Sequence, residues 1–75
     1  MISLELVEEK SHCMVIWLIG RIGTLIERFC DIHEEDELDV IANYGRGGVI
    51  IAVDNRRFAL DYDSARAIKV TLMNG

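Results

Sequence analysis

The chain has 75 residues, 51% of them apolar, and its 13 acidic against 8 basic side chains leave a formal net charge of −5. A chain of this length makes one domain, and it buries only about 60% of its unfolded surface, so its core has few residues to spare. The acid excess and the lack of any Lys or Arg run exclude nucleic acid as a partner, and the longest apolar run, Cys13 to Ile19, is far shorter than the roughly 20 residues that span a bilayer. That run also starts too late, and lacks the small-residue cleavage site, to be a signal peptide. A cytoplasmic protein with no direct membrane insertion is therefore expected. Cys13 and Cys30 are too few for a disulfide framework and are expected to remain thiols.

In chain order, Ile2, Leu4 and Leu6 alternate weakly and predict a short strand or a packed arm. After the polar turn Glu8 to Ser11, residues His12 to Ile19 read as a strand apolar on both faces, with Cys13, Val15, Trp17 and Ile19 opposed to Met14, Ile16 and Leu18. Gly20 breaks it. Ile22, Leu25, Ile26, Phe29 and Cys30 then recur at helical spacing, with Arg21, Glu27 and Arg28 opposite, which predicts an amphipathic helix ending near Asp31. A polar loop through His33 to Asp36 leads to a strand over Leu38 to Asn43, whose Leu38 and Val40 share a face. The Gly45 to Gly48 turn follows. Asp54 and Asn55 tolerate the positive φ of a two-residue hairpin turn, which sets Val53 opposite Arg56, Ile51 opposite Phe58 and Val49 opposite Leu60. Asp63 or Ser64 is the expected cap of a single helical turn, DSARAI, whose Ala65 and Ile68 point back to the sheet. Strand alternation resumes at Ile68, Val70 and Leu72.

The spacing Val53, Phe58-Ala59-Leu60, Ala65, Ile68 and Val70, preceded by the pair Gly47-Gly48, resembles the C-terminal half of FeoA-like domains, which are associated with bacterial ferrous iron uptake. The strand count points to the same architecture, a small, partly open barrel. The fold class expected is mainly β with an α insertion. It is a Src-homology-3-like barrel of about five strands, with an amphipathic helix after the first long strand and a helical turn before the last. The resemblance implies a protein that assists or regulates iron uptake by binding the cytoplasmic GTPase region of a FeoB-type ferrous iron transporter. The alternative is a transition-metal-binding or metal-sensing module, related to the C-terminal barrel of diphtheria-toxin-repressor-type regulators.

The nearest approach to a metal site is Cys30-x-x-His33, followed by Glu34, Glu35 and Asp36. A thiolate and an imidazole three apart at a helix end suit one borderline-soft cation, with a carboxylate as third ligand. The candidate occupant is ferrous iron or another transition metal, although no motif requires a cofactor. Cys30 falls on the apolar helix face, however, where a free cysteine ordinarily serves as a small hydrophobe. The acidic run Glu34 to Glu37 is ordinarily a solvated loop. Met14 and Trp17 belong to residue types enriched at interfaces, on a strand with more apolar side chains than one barrel and one helix cover. They are either core or the face of a homodimer or docked partner. Arg56 is a candidate grip on an acidic partner. No Ser-His-Asp or Cys-His-Asn set occurs and a barrel this small offers no substrate pocket, so a non-enzymatic protein is expected.

Overall fold

The computed structural model describes residues 1–73. A hairpin is formed by β4 (Val49–Val53) and β5 (Arg56–Leu60). Asp54 and Asn55 adopt φ of 50° and 65° at its tip, the left-handed conformation that short polar side chains tolerate. The strands pair in the expected register, Val53 with Arg56, Ile51 with Phe58 and Val49 with Leu60. Val49, Ile51, Val53 and Leu60 are buried, while Ala59 and Arg57 face solvent.

β3 (Glu37–Asn43) flanks the hairpin, and β2 (His12–Leu18) joins β3 to β6 (Ile68–Leu72), all antiparallel. Leu38 and Val40 share the buried face as expected. The sheet has six strands in the order β1-β6-β2-β3-β4-β5. The strand beyond the expected five is β1, a two-residue pairing of Ile2–Ser3 with Val70 and Lys69. The sheet curls around its apolar face but leaves β1 and β5 as unpaired edges.

The first residues depart from the alternation expected of them. A 3₁₀ turn over Leu4–Leu6 replaces continued strand, and its threefold repeat puts Leu4 and Val7, not Leu4 and Leu6, on one side. Leu4 and Val7 are fully buried and Leu6 is exposed. Asn43 fixes this arm from across the sheet. Its side-chain nitrogen donates to the carbonyls of Glu5 and Val7 at 2.9 and 2.7 Å, and its side-chain oxygen accepts from the Gly45 N–H at 2.8 Å.

Two helices cover the open ends, α1 (Gly20–Cys30) and α2 (Tyr62–Arg66). The cap of α2 is Asp61, not Asp63 or Ser64: its carboxylate accepts from the Ser64 N–H at 2.8 Å. The helical turn thus begins at Tyr62, which places Asp63 and Ser64 inside the first turn and leaves Asp61 one step outside, where a cap must sit. Ala65 and Ile68 do point into the core, as does Ala67. Among the described residues, no helix is long and apolar enough to cross a membrane.

Candidate functional site

Helix α1 has the expected extent but buries a different line of residues. Gly23 lies so close to the end of β2 that a Cβ there would stand 2.5 Å from the Leu18 carbonyl carbon. This contact turns the line Gly23, Ile26 and Cys30 toward the sheet. The apolar row Ile22, Leu25 and Phe29, one position earlier on each turn, rotates about 100° away. Those three side chains are 40%, 43% and 75% exposed, so only part of the apolar face of this amphipathic helix is buried. Together with Ile26, Cys30 and Leu60 they line a groove of about 380 Å³ that runs toward the start of α2. Asp61, Asp63 and Ser64 form its far rim. The Asp61 carboxyl titrates below the usual carboxylate range because it accepts the Ser64 N–H.

β2 presents a second apolar surface. Opposite β6 its pairing jumps from Val15 with Val70 to Trp17 with Lys69, a β-bulge that adds Ile16 and reverses which residues face inward. Cys13 and Val15 are therefore buried, but Leu18, not Trp17, continues that face and packs on the core. Trp17 is 51% exposed beside Ile16, with Met14 half-buried on the same outer side. The expected alternation of Cys13, Val15 and Trp17 is thus corrected by one inserted residue. Burial pushes the Cys13 thiol above its ordinary pKa, so it stays a protonated core residue.

At the start of β2, His12 stands between two carboxylates. Its Nε2 is 2.7 Å from a Glu37 oxygen and its Nδ1 is 2.7 Å from an Asp39 oxygen. An imidazolium donates to both at once, and these bonds, that to Glu37 first, raise the His12 pKa above its ordinary value.

Cys30 and His33 do not form a shared donor set with the acidic loop. Cys30 packs partly buried against the core. His33 turns instead to Asp31 at 3.5 Å and Asp36 at 3.8 Å. Among the described residues no three His, Cys, Asp or Glu side chains are placed to hold a metal ion. Between the pair lies Ile32, which is fully buried. It follows Asp31, whose φ of 54° is the left-handed turn that ends α1, and an apolar residue just past such a turn commonly folds back on the core. A lone Ile in an otherwise polar loop was the available signal.

Arg56 is engaged within the chain. Its guanidinium donates to the Cys30 and Asp31 carbonyls at 2.6 and 3.2 Å and lies over the Phe58 ring at 5.3 Å. It satisfies the C-terminal carbonyls of α1 and favours the negative end of the helix dipole. A larger cleft, about 530 Å³, opens at the other end of α1 between Arg21, Arg66 and Lys69, with Asp63 also on its wall. Lys69 is occupied there by Ser3 Oγ at 2.9 Å and the Arg66 carbonyl at 3.1 Å. Arg66 and Arg46 both lie over the Tyr62 ring, at 5.6 and 5.1 Å.

No family model and no curated protein matches the sequence. Solved structures do match it. An iron uptake regulatory protein (FeoA) superposes on 96% of this chain and 97% of its own, with a TM-score of 0.85 at 18% identity. The fold is that of FeoA-like domains. A FeoA-like protein from Clostridium acetobutylicum gives a TM-score of 0.84 at 21% identity over 99% of this chain and 88% of that one. The IdeR of T. acidophilum gives 0.79 at 17% identity over 96% of this chain, which spans 34% of that protein. The FeoA-like, Src-homology-3-like fold therefore occurs both as a nearly whole chain and as about a third of a larger one. The expected mainly β architecture with its helical insertion is the one found.

Proposed function

We propose that this chain is a non-enzymatic, cytoplasmic adaptor that assists or regulates ferrous iron uptake by binding the cytoplasmic GTPase region of a FeoB-type transporter. The observation that carries this reading is the end-to-end match with an iron uptake regulatory protein, 97% of whose chain is covered. The metal-dependent repressor relatives support an iron or metal context, but the chain spans 34% of one and 41% of another. The exposed Trp17 and Ile16 on the outer face of β2 supply the apolar area that a protein partner needs, since aromatic side chains carry much of the energy at such interfaces.

The direct test is capture of the transporter's cytoplasmic domain by the purified protein, with and without GTP. Binding in at least one nucleotide state, weakened by Trp17→Ser in a variant that remains folded, is the expected result. Absence of binding in both states would sink the adaptor reading. Titration of ferrous iron while observing the His12, Cys30 and His33 resonances separates this from the metal-sensing alternative, which predicts shifts at stoichiometric metal.

A further inference from the structure

The cleft at the start of α1 gathers cations in a chain that is otherwise acidic. Arg21 of α1, Arg66 of α2 and Lys69 of β6 line its wall, with the single carboxylate Asp63, around a volume of about 530 Å³. The whole chain carries 13 acidic and 8 basic side chains, so three cations brought from three elements to one concavity run against its overall charge. None of the three makes an ion pair among the described residues. A cleft with low-dielectric walls focuses the field of such a set, and the ligand it favours is an anion.

The donors left over define the anion. Lys69 is fixed in place by Ser3 Oγ at 2.9 Å and the Arg66 carbonyl at 3.1 Å, which leaves one of its three ammonium donors for a ligand. Arg66 is braced over the Tyr62 ring at 5.6 Å, a contact that spends none of its N–H donors. Arg21 is exposed. The N–H groups of Gly20, Arg21 and Ile22 precede the first bond within α1, from the Gly23 N–H to the Ile19 carbonyl at 2.9 Å, and no side chain caps them. A carboxylate, with one charge and two oxygens, answers only part of this set. A phosphate monoester carries nearly two charges and three strong acceptor oxygens, which suit two guanidinium forks and an ammonium together. Ile19, Ile22 and Ala67 make the cleft apolar on one side, where the organic group of an ester fits better than water does.

We propose that this cleft binds the phosphate of a phosphomonoester, held by Arg21, Arg66 and Lys69 and opposed by Asp63. This goes beyond the adaptor reading and does not depend on it. A soluble phosphomonoester and the headgroup of phosphatidic acid present the same chemistry. The cleft is open and one carboxylate stands on its wall, so the site is weak, with a Kd of about 0.1–1 mM at low salt.

Titration of the full chain with phenyl phosphate, followed through its amide resonances at constant ionic strength, tests the site. Saturable shifts centred on Gly20, Arg21 and Ile22 are expected, with sodium chloride in place of the ester producing none. Arg21 and Arg66 are exposed, so Arg21→Gln and Arg66→Gln leave the fold intact, as their amide spectra will show, and each is expected to weaken binding at least about fivefold. Asp63→Asn is expected to tighten it about two- to threefold by removing a like charge. Arg28→Gln, which removes the same charge from the far end of the same helix, is expected to leave it within about twofold of the parent. Flotation with vesicles containing phosphatidic acid, against phosphatidylcholine alone, identifies the source: flotation assigns the lipid headgroup, and binding of phenyl phosphate without flotation assigns a soluble ester. The proposal is overturned by the absence of saturable shifts up to about 10 mM ester, by equal shifts with chloride, or by Arg28→Gln weakening binding as much as Arg66→Gln.

Discussion

Single residues here act chiefly through backbone geometry. Gly23 is needed because β2 passes too close for any side chain, and Gly48, at φ 103°, faces the Leu60 carbonyl oxygen 2.5 Å from where a Cβ would lie. Gly23→Ala must push α1 off the sheet, and chemical denaturation is expected to show a loss of about 2 kcal/mol, the usual scale for overpacking a tight contact. The helical periodicity of α1 was plain in the sequence, but this close approach was not, because it depends on where β2 ends in space. His12 makes a pH-dependent contribution. Folding raises its pKa, so its stabilisation is complete below the ordinary value of about 6.5 and is lost as the pH rises through the folded value. The side chain is 38% exposed, which keeps the effect below about 1 kcal/mol. The melting temperature advantage of the parent over His12→Gln is expected at pH 6 and to shrink toward pH 9.

At the scale of elements, the hairpin was legible to the residue while β2 was not. Asp54-Asn55 and two alternating runs leave one register that buries four apolar side chains on one face. β2 is apolar on both faces, so alternation could not say which face turns inward or where the bulge at Ile16 falls. That choice was made by β6, whose Ile68 and Val70 had to stay buried. The junction of α1 with the hairpin is similarly tertiary. Arg56, 26 residues from Cys30 in sequence, donates to its carbonyl and to that of Asp31. Charge-assisted bonds of this kind carry roughly 1.5–3 kcal/mol. Arg56→Met keeps the stacking volume over Phe58 but removes the donors, and it is expected to lower stability by about 1–2 kcal/mol and to speed amide exchange in the last turn of α1.

For the molecule as a whole, the small core makes its closing pieces disproportionately important. The arm of residues 2–7 pairs with β6 at just two positions, yet its Leu4 and Val7 are as buried as any residue in the sheet. Leu4→Ala is expected to cost about 2–5 kcal/mol, a large share of the 5–15 kcal/mol that holds a typical domain together. An equilibrium unfolding curve with the parent's slope and a shifted midpoint would show it. The candidate sites were less legible than the fold. Cys30 and His33 were paired by their three-residue spacing alone, and the buried Ile32 between them separates a Cys30 packed on the core from a His33 turned to Asp31 and Asp36. By itself the sequence determined the strands, the hairpin register, the helix after the first long strand and the FeoA-like pattern. These follow from periodicity and turn chemistry, which act over a few residues. Only the tertiary structure decided which apolar side chains stay in water. That outcome depends on a glycine contact and a β-bulge, and both are settled by how separate elements meet.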